Sequence, residues 1–202
     1  MIEFTVTGEN VNAIPQNVDI LIFHNKFNEP LSIGMIPKSV VHLAFGYDFN
    51  QPLSEGVIPL GITHLQLGGE FNQPLEAGVI PNSVTQLHFG DFYDHPLKPG
   101  VIPNSVTHLV LAYNSSQPLS VGAIPNSVTH LQFGDQFNQQ IEVGIIPNSV
   151  THLLFGYHFN QPLSVGAIPN SVEFLVFGTK YNQPLEVGVI PSSVSELIYE
   201  DN

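Results

Sequence analysis

The 202-residue chain contains no cysteine and no arginine, and its four cations, Lys26, Lys38, Lys98 and Lys180, are scattered among seventeen carboxylates. Without cysteine there are no disulfides, no thiolate nucleophile and no thiolate metal site. A formal charge of −13 opposes sequence-independent binding to a nucleic-acid backbone or to an anionic membrane, and makes a basic protein surface the better partner. The start, Met-Ile-Glu-Phe-Thr-Val, lacks both a basic flank and a long apolar stretch, so neither a signal peptide nor a membrane span is read there. The expectation is a soluble, intracellular protein, and the lone sequon Asn114-Ser115-Ser116 does not alter it. No shift of composition or linker run divides the chain, and with 43% hydrophobic residues it can bury a continuous core.

What is present is a period. Proline stands at positions 15, 37, 59, 81, 103, 125, 147, 169 and 191, every 22 residues without an insertion or deletion. Such a spacing marks a repeat array, in which each unit is one supersecondary element stacked on the next. One domain is read over residues 1–202: an N-terminal cap over 1–14, with Phe4 and Val6 alternating, then nine 22-residue registers over 15–202, the last truncated.

Within the repeat that begins at Pro125, Leu131 and Phe133 lie two apart between polar residues, the alternation of a short half-buried strand. The pair recurs as Leu43 and Phe45, Leu65 and Leu67, Leu87 and Phe89, Leu109 and Leu111, Leu153 and Phe155, and Leu175 and Phe177. Identical strands with identical inward positions stack most simply in parallel. The remaining residues, rich in Asn-Gln-Pro and Gly-Xaa-Ile-Pro, are poor helix formers. They are expected to turn twice and return through extended pieces and at most short 3₁₀ segments, with Phe137, Ile141 and Ile146 pointing inward. The predicted fold is a leucine-rich-repeat-like solenoid: one parallel β-sheet of about nine short strands, poor in helix. A single repeat cannot offset its own ordering entropy, so stability must come from stacking, with the ends capped. Glu196, Glu200 and Asp201 would discourage pairing at the terminal strand edge.

Four columns carry backbone meaning. The glycines from Gly34 to Gly188 occupy one position in eight of eight copies, which implies positive φ. The glycine after each strand is replaced by His24, Ala112 and Glu200, which points to small size instead. The asparagines Asn28, Asn50, Asn72, Asn138, Asn160 and Asn182, with Asp94 and Ser116 substituting, can accept backbone N–H groups left unpaired by a buried turn. The serines from Ser83 to Ser193 beside the proline read as turn residues.

Val150-Thr-His-Leu-Leu-Phe-Gly, with Phe159-Asn160-Gln161-Pro162-Leu163 and Ile168-Pro169, resembles the FNIP repeat, and the resemblance runs from about Ile14 to Tyr199. It implies a short leucine-rich-repeat-like unit of a kind associated with social amoebae and giant DNA viruses, where such repeats sometimes follow an F-box; no F-box module is present here. The departures are Tyr93-Asp94, Ser115-Ser116 and Tyr181-Asn182 in place of Phe-Asn, and Gln140 in place of proline. The resemblance implies a protein-interaction scaffold in the cytoplasm of a host or amoebal cell, and no common activity.

If Leu43 and Phe45 point inward, the residues between and beside them face outward. His42, His64, His108, His130 and His152 then form a column, interrupted by Gln86 and ended by Phe174. Neighbouring imidazoles about 4.8 Å apart could respond to pH or share a metal. A regular ladder supplies ligands in line more readily than a tetrahedral set, however, and no carboxylate recurs beside the column, so no metal or cofactor is assigned. An acid–base–nucleophile set can be drawn from Asp91, Asp94, His95, His88 and Ser115, but nothing fixes its geometry and no catalytic residue is assigned. The stronger signal is variation between copies. His88 and Gln132 belong to a second outward column that changes from repeat to repeat, and Tyr47, Phe92, Tyr113 and Tyr157 follow their strands beside acidic residues. Aromatic anchors on a rim suit protein binding. The chain is read as a non-enzymatic interaction module that holds a protein partner through Tyr47, Phe92, Tyr113, Tyr157, His88 and Gln132. Two alternatives stand beside it: a scaffold that self-associates through its exposed terminal strand, and a pH- or metal-responsive binder using the histidine column.

Overall fold

A computed structural model describes residues 1–200; Asp201, one of the expected edge charges, lies outside them. Ten strands form one sheet: β1 (Glu3–Val6), β2 (Ile20–Phe23), β3 (His42–Ala44), β4 (His64–Gln66), β5 (Gln86–His88), β6 (His108–Val110), β7 (His130–Gln132), β8 (His152–Leu154), β9 (Phe174–Phe177) and β10 (Glu196–Tyr199). Sheet order follows chain order and every pairing is parallel. The sheet has ten strands where the period gives about nine, because the N-terminal Glu3–Val6 pairs in register with β2. The one helical element among the described residues is a 3₁₀ turn, Val11–Ala13.

Residues 22 apart in sequence are direct partners, Leu43 with Leu65 and Leu131 with Leu153. The middle residue of each short strand is buried, and its flanks are half-buried or exposed. Each rung has three corners, not the two expected from the sequence. One turn closes after the strand, as Phe49 N–H donates to Gly46; a second closes before the Ile-Pro segment, as Val57 donates to Ser54; a third starts at the proline, as Val84 donates to Pro81. At the second corner the third residue is Gly56, with φ +85, which a type II turn requires and an L-residue resists. The glycine column after the strand has a different cause. It carries no positive φ, but a Cβ at Gly90 or Gly156 would meet the carbonyl of the preceding rung.

Behind the sheet lies a continuous apolar core. Its deepest column is aromatic: Phe27, Phe49, Phe71 and Tyr93 stack at 6.2–6.3 Å within 10° of parallel, and Phe137, Phe159 and Tyr181 resume the stack beyond Ser115 at 6.3 and 5.9 Å. Phe133, Phe155 and Phe177, at the strand ends, stack at 5.2 and 5.3 Å, while His108, His130 and His152 on the open side of the sheet stack at 4.2 Å. Spacing therefore shrinks from the deep column through the sheet to its open side. The solenoid is bent, and the open face that bears the histidines is concave.

The asparagine column does join neighbouring rungs. Asn50 N–H donates to Asn28 Oδ1 at 2.9 Å, Asn72 to Asn50 at 2.9 Å, and Asp94 to Asn72 at 3.0 Å. These bonds lie at the surface and not in the interior, where the sequence reading put them. The serines do more than turn the chain, since Ser105, Ser127, Ser149 and Ser171 each donate a hydroxyl to the preceding rung at 2.6–2.7 Å.

Tyr93 and Tyr181 occupy phenylalanine positions, and their buried hydroxyls have no hydrogen-bond partner. The Leu75 backbone lies near the Tyr93 hydroxyl without bonding geometry, and burial pushes both phenols up to about 12. An unpaired buried hydroxyl costs about 1–3 kcal/mol. Replacing Tyr181 or Tyr93 by Phe is therefore expected to stabilise the fold by about 1 kcal/mol, measured as a higher urea midpoint at unchanged slope; a lower midpoint would mean that the hydroxyl is satisfied.

Candidate functional site: the concave face and its rim

Two outward columns make the concave face. The first runs Ile20, His42, His64, Gln86, His108, His130, His152 and Phe174; the second runs Ile22, Ala44, Gln66, His88, Val110, Gln132, Leu154 and Val176. His88 and Gln132 are exposed and stand two rungs apart, with Val110 between them. At the N-terminal half Ile20, Ile22, Ala44, His64 and His88 help to line a shallow open depression.

His42 pairs with His64, and His108, His130 and His152 pair in turn; the orientation of these rings has a cause that the sequence reading missed. The residue before four of the five histidines is threonine. Thr63, Thr107, Thr129 and Thr151 place Oγ1 at 2.8–3.0 Å from Nδ1 of the following His64, His108, His130 and His152. The same hydroxyls lie 3.2 Å from a carbonyl of the preceding rung. His42 follows Val41 and has no such clamp, and its ring is tilted 47° against His64. The clamped His108, His130 and His152 stack within 14° of parallel. The signal was in the sequence as a Thr-His dipeptide repeated at the period. Parallel rings direct their nitrogen lone pairs side by side, whereas ligands of one ion must converge.

Tyr47, Tyr113 and Tyr157 share one rim column, which also holds Asn25, Gly69, Asp91, Asp135 and Thr179; Phe92 stands in the next column. The rim is a second hydrogen-bonded ladder: Glu70 N–H donates to Tyr47 at 2.8 Å, Phe92 to Gly69 at 3.0 Å, Asn114 to Asp91 at 2.8 Å, Gln136 to Tyr113 at 2.9 Å and His158 to Asp135 at 2.8 Å. Tyr47, Phe92 and Tyr113 are each 40–43% exposed. Tyr157 is half-buried, with His158 edge-on at 4.8 Å and Lys180 Nζ at 5.4 Å from its ring centroid. Tyr47 lies across Gly69, where a Cβ would strike its ring. Partial desolvation, then the carboxylates of Glu70, Asp91 and Asp48, push its phenol above the ordinary range.

Two of the residues from which an acid–base set can be drawn, Asp94 and His95, have structural partners. Asp94 accepts the Ser116 N–H at 2.8 Å and the Ser116 hydroxyl at 2.9 Å, and His95 Nε2 meets the Asn72 carbonyl at 3.0 Å. These polar atoms join neighbouring rungs and do not converge on a cleft.

The sequence profile described as FNIP Repeat matches residues 10–48, 49–92, 93–136, 113–158, 137–180 and 159–199. No curated protein matches. Among solved structures, the chain is similar to CroV588, from the giant virus CroV and described as a novel circular LRR protein, with TM-score 0.89 and 40% identity over 93% of this chain. It spans 28% of that protein's length.

Burial, then His42, His88 and His108, lowers the pKa of His64 from 6.5; burial, then His108 and His152, lowers that of His130. A histidine depressed in the folded state binds protons more readily in the unfolded chain. Its contribution therefore favours folding above the unfolded pKa, and this is lost as pH falls from about 6.5 through the lower folded value. The melting temperature is expected to fall between about pH 7.5 and 5.5, and to fall less in His64→Gln/His130→Gln, a change that copies natural Gln86. An identical pH slope in the variant would show that these imidazoles do not set it.

Proposed function

This chain belongs to the FNIP repeat family, and we propose that it is a non-enzymatic protein-interaction module whose concave face and adjoining rim hold a partner protein with a basic surface. The observation that carries this reading is the rim. While the phenylalanines of the Phe49 and Phe133 columns are packed inside, Tyr47, Phe92 and Tyr113 face solvent from positions held by bonds between rungs, and Asp48, Glu70 and Asp91 lie among them. Large aromatic side chains on a fixed backbone lose little freedom on binding and so make effective anchors. The acidic surroundings favour encounter with cations. His88 and Gln132, on the varying column, would set specificity.

Quantitative recovery of proteins from native-cell lysate compares wild-type chain with Tyr113→Ala/Tyr157→Ala. The expected outcome is a partner enriched at least tenfold by the wild type and lost with the variant, whose circular dichroism is unchanged. Equal recovery by both would remove the rim from the binding surface.

A self-associating scaffold is the second reading. The observation that favours it is the last described strand, where Leu197, Ile198 and Tyr199 are 37–47% exposed although they continue columns of the sheet. Sedimentation across a wide concentration range decides it: association that disappears in Leu197→Lys supports this reading, and a monomer throughout opposes it.

A further inference from the structure

The threonine clamps fix more than the angle of the rings. Thr85 is followed by Gln86 and not by histidine, yet its hydroxyl keeps the same 3.2 Å contact to the carbonyl of the rung before it. The hydroxyl therefore points at the carbonyl with or without an imidazole beside it, the orientation in which its single hydrogen goes to that carbonyl. A hydroxyl that has given its proton away meets a ring nitrogen only as an acceptor. With that hydrogen on the carbonyl, the matching tautomer of the clamped residues has Nδ1–H donating to threonine, which leaves the lone pair of a neutral imidazole on Nε2. No protein group among the described residues bonds Nε2 of His64, His108, His130 or His152. Three of these rings follow one another without a gap at 4.2 Å.

We propose that the Thr–His ladder over His108, His130 and His152 is a binding strip for an arginine- or lysine-bearing segment of a partner protein, its imidazoles set as Nδ1–H tautomers so that a row of Nε2 acceptors lines the concave face. Guanidinium and ammonium groups are donors with no acceptor, the complement of such a row. A chain with four lysines, no arginine and seventeen carboxylates adds an attractive field. Val110, Gln132 and Leu154, in the adjacent column, give the aliphatic stem of such a side chain a surface to lie on. This proposal rests on the interaction reading above and names the chemistry of one part of that surface.

The test uses the full chain labelled with ¹⁵N-histidine at about pH 8, where imidazoles are neutral. Long-range proton–nitrogen spectra are expected to show Nδ1–H tautomers for His64, His108, His130 and His152 and not for the unclamped His42. Thr129→Val, which copies the natural Val41–His42 pair, should return His130 to the Nε2–H form. Titration with a synthetic peptide alternating Arg and Ala should then shift Nε2 of His108, His130 and His152 saturably, and a norleucine-for-arginine peptide should not. His108→Phe/His130→Phe/His152→Phe, which repeats the natural choice of Phe174 in this column, should weaken peptide binding at least tenfold with circular dichroism unchanged. Nε2–H tautomers in the wild type, no peptide binding, or equal binding by the phenylalanine variant would each overturn the proposal. Tyr113→Ala/Tyr157→Ala should leave the tautomers as they are, so failure of the strip and failure of the rim reading are separate results.

Discussion

Every feature of this molecule depends on hydrogen bonding between residues one period apart. Strand pairs such as Leu43 and Leu65 carry it through the sheet. Three further bonded lines run beside the strands: the rim amides, the asparagine line from Asn28 to Asp94, and the serine hydroxyls that reach back one rung. An inserted residue would break all of these at once, which explains why nine registers pass without one. The same bonding makes the strands very short, because a rung fixed at several corners does not need a long ladder of its own.

Repetition also separates what the scaffold requires from what it leaves free. A rung must supply an inward leucine, a glycine at the second corner and a small residue where two backbones meet. It need not supply any particular residue at positions 44, 47 or 48 and their counterparts. Those free positions gather on one side, because the period returns each to the same place and the bend makes that side concave. The candidate surface is thus a by-product of stacking: a rigid frame with variable side chains. The clamped imidazoles lie between these classes, recurring like scaffold residues while directing polar atoms toward solvent.

Much of this was legible in the residues. Alternation at Leu131 and Phe133 gave the buried face because side chains in a strand repeat every two residues, and Gly56 announced a left-handed turn because no other residue occupies that column. The third corner was legible only in part: the serines beside the proline read as turn residues, but nothing in Pro81-Asn82-Ser83-Val84 showed that this turn adds a corner to the two expected. The surface position of the asparagine line was not legible, because one side chain serves equally in buried and exposed turns. Ser115 read as a departure from Phe-Asn, but only the structure places it as the gap between two aromatic stacks. The Thr-His clamp was visible as a pattern and silent as geometry, since adjacent residues on a strand ordinarily point to opposite faces.

The rim is built by the stack and is not a set of independent loops. Native-state amide hydrogen exchange tests it directly. The amides of Glu70, Phe92, Asn114, Gln136 and His158 are expected to exchange as slowly as those of the strands beside them. Protected strands with these five amides exchanging at the rate of an unstructured peptide would contradict it.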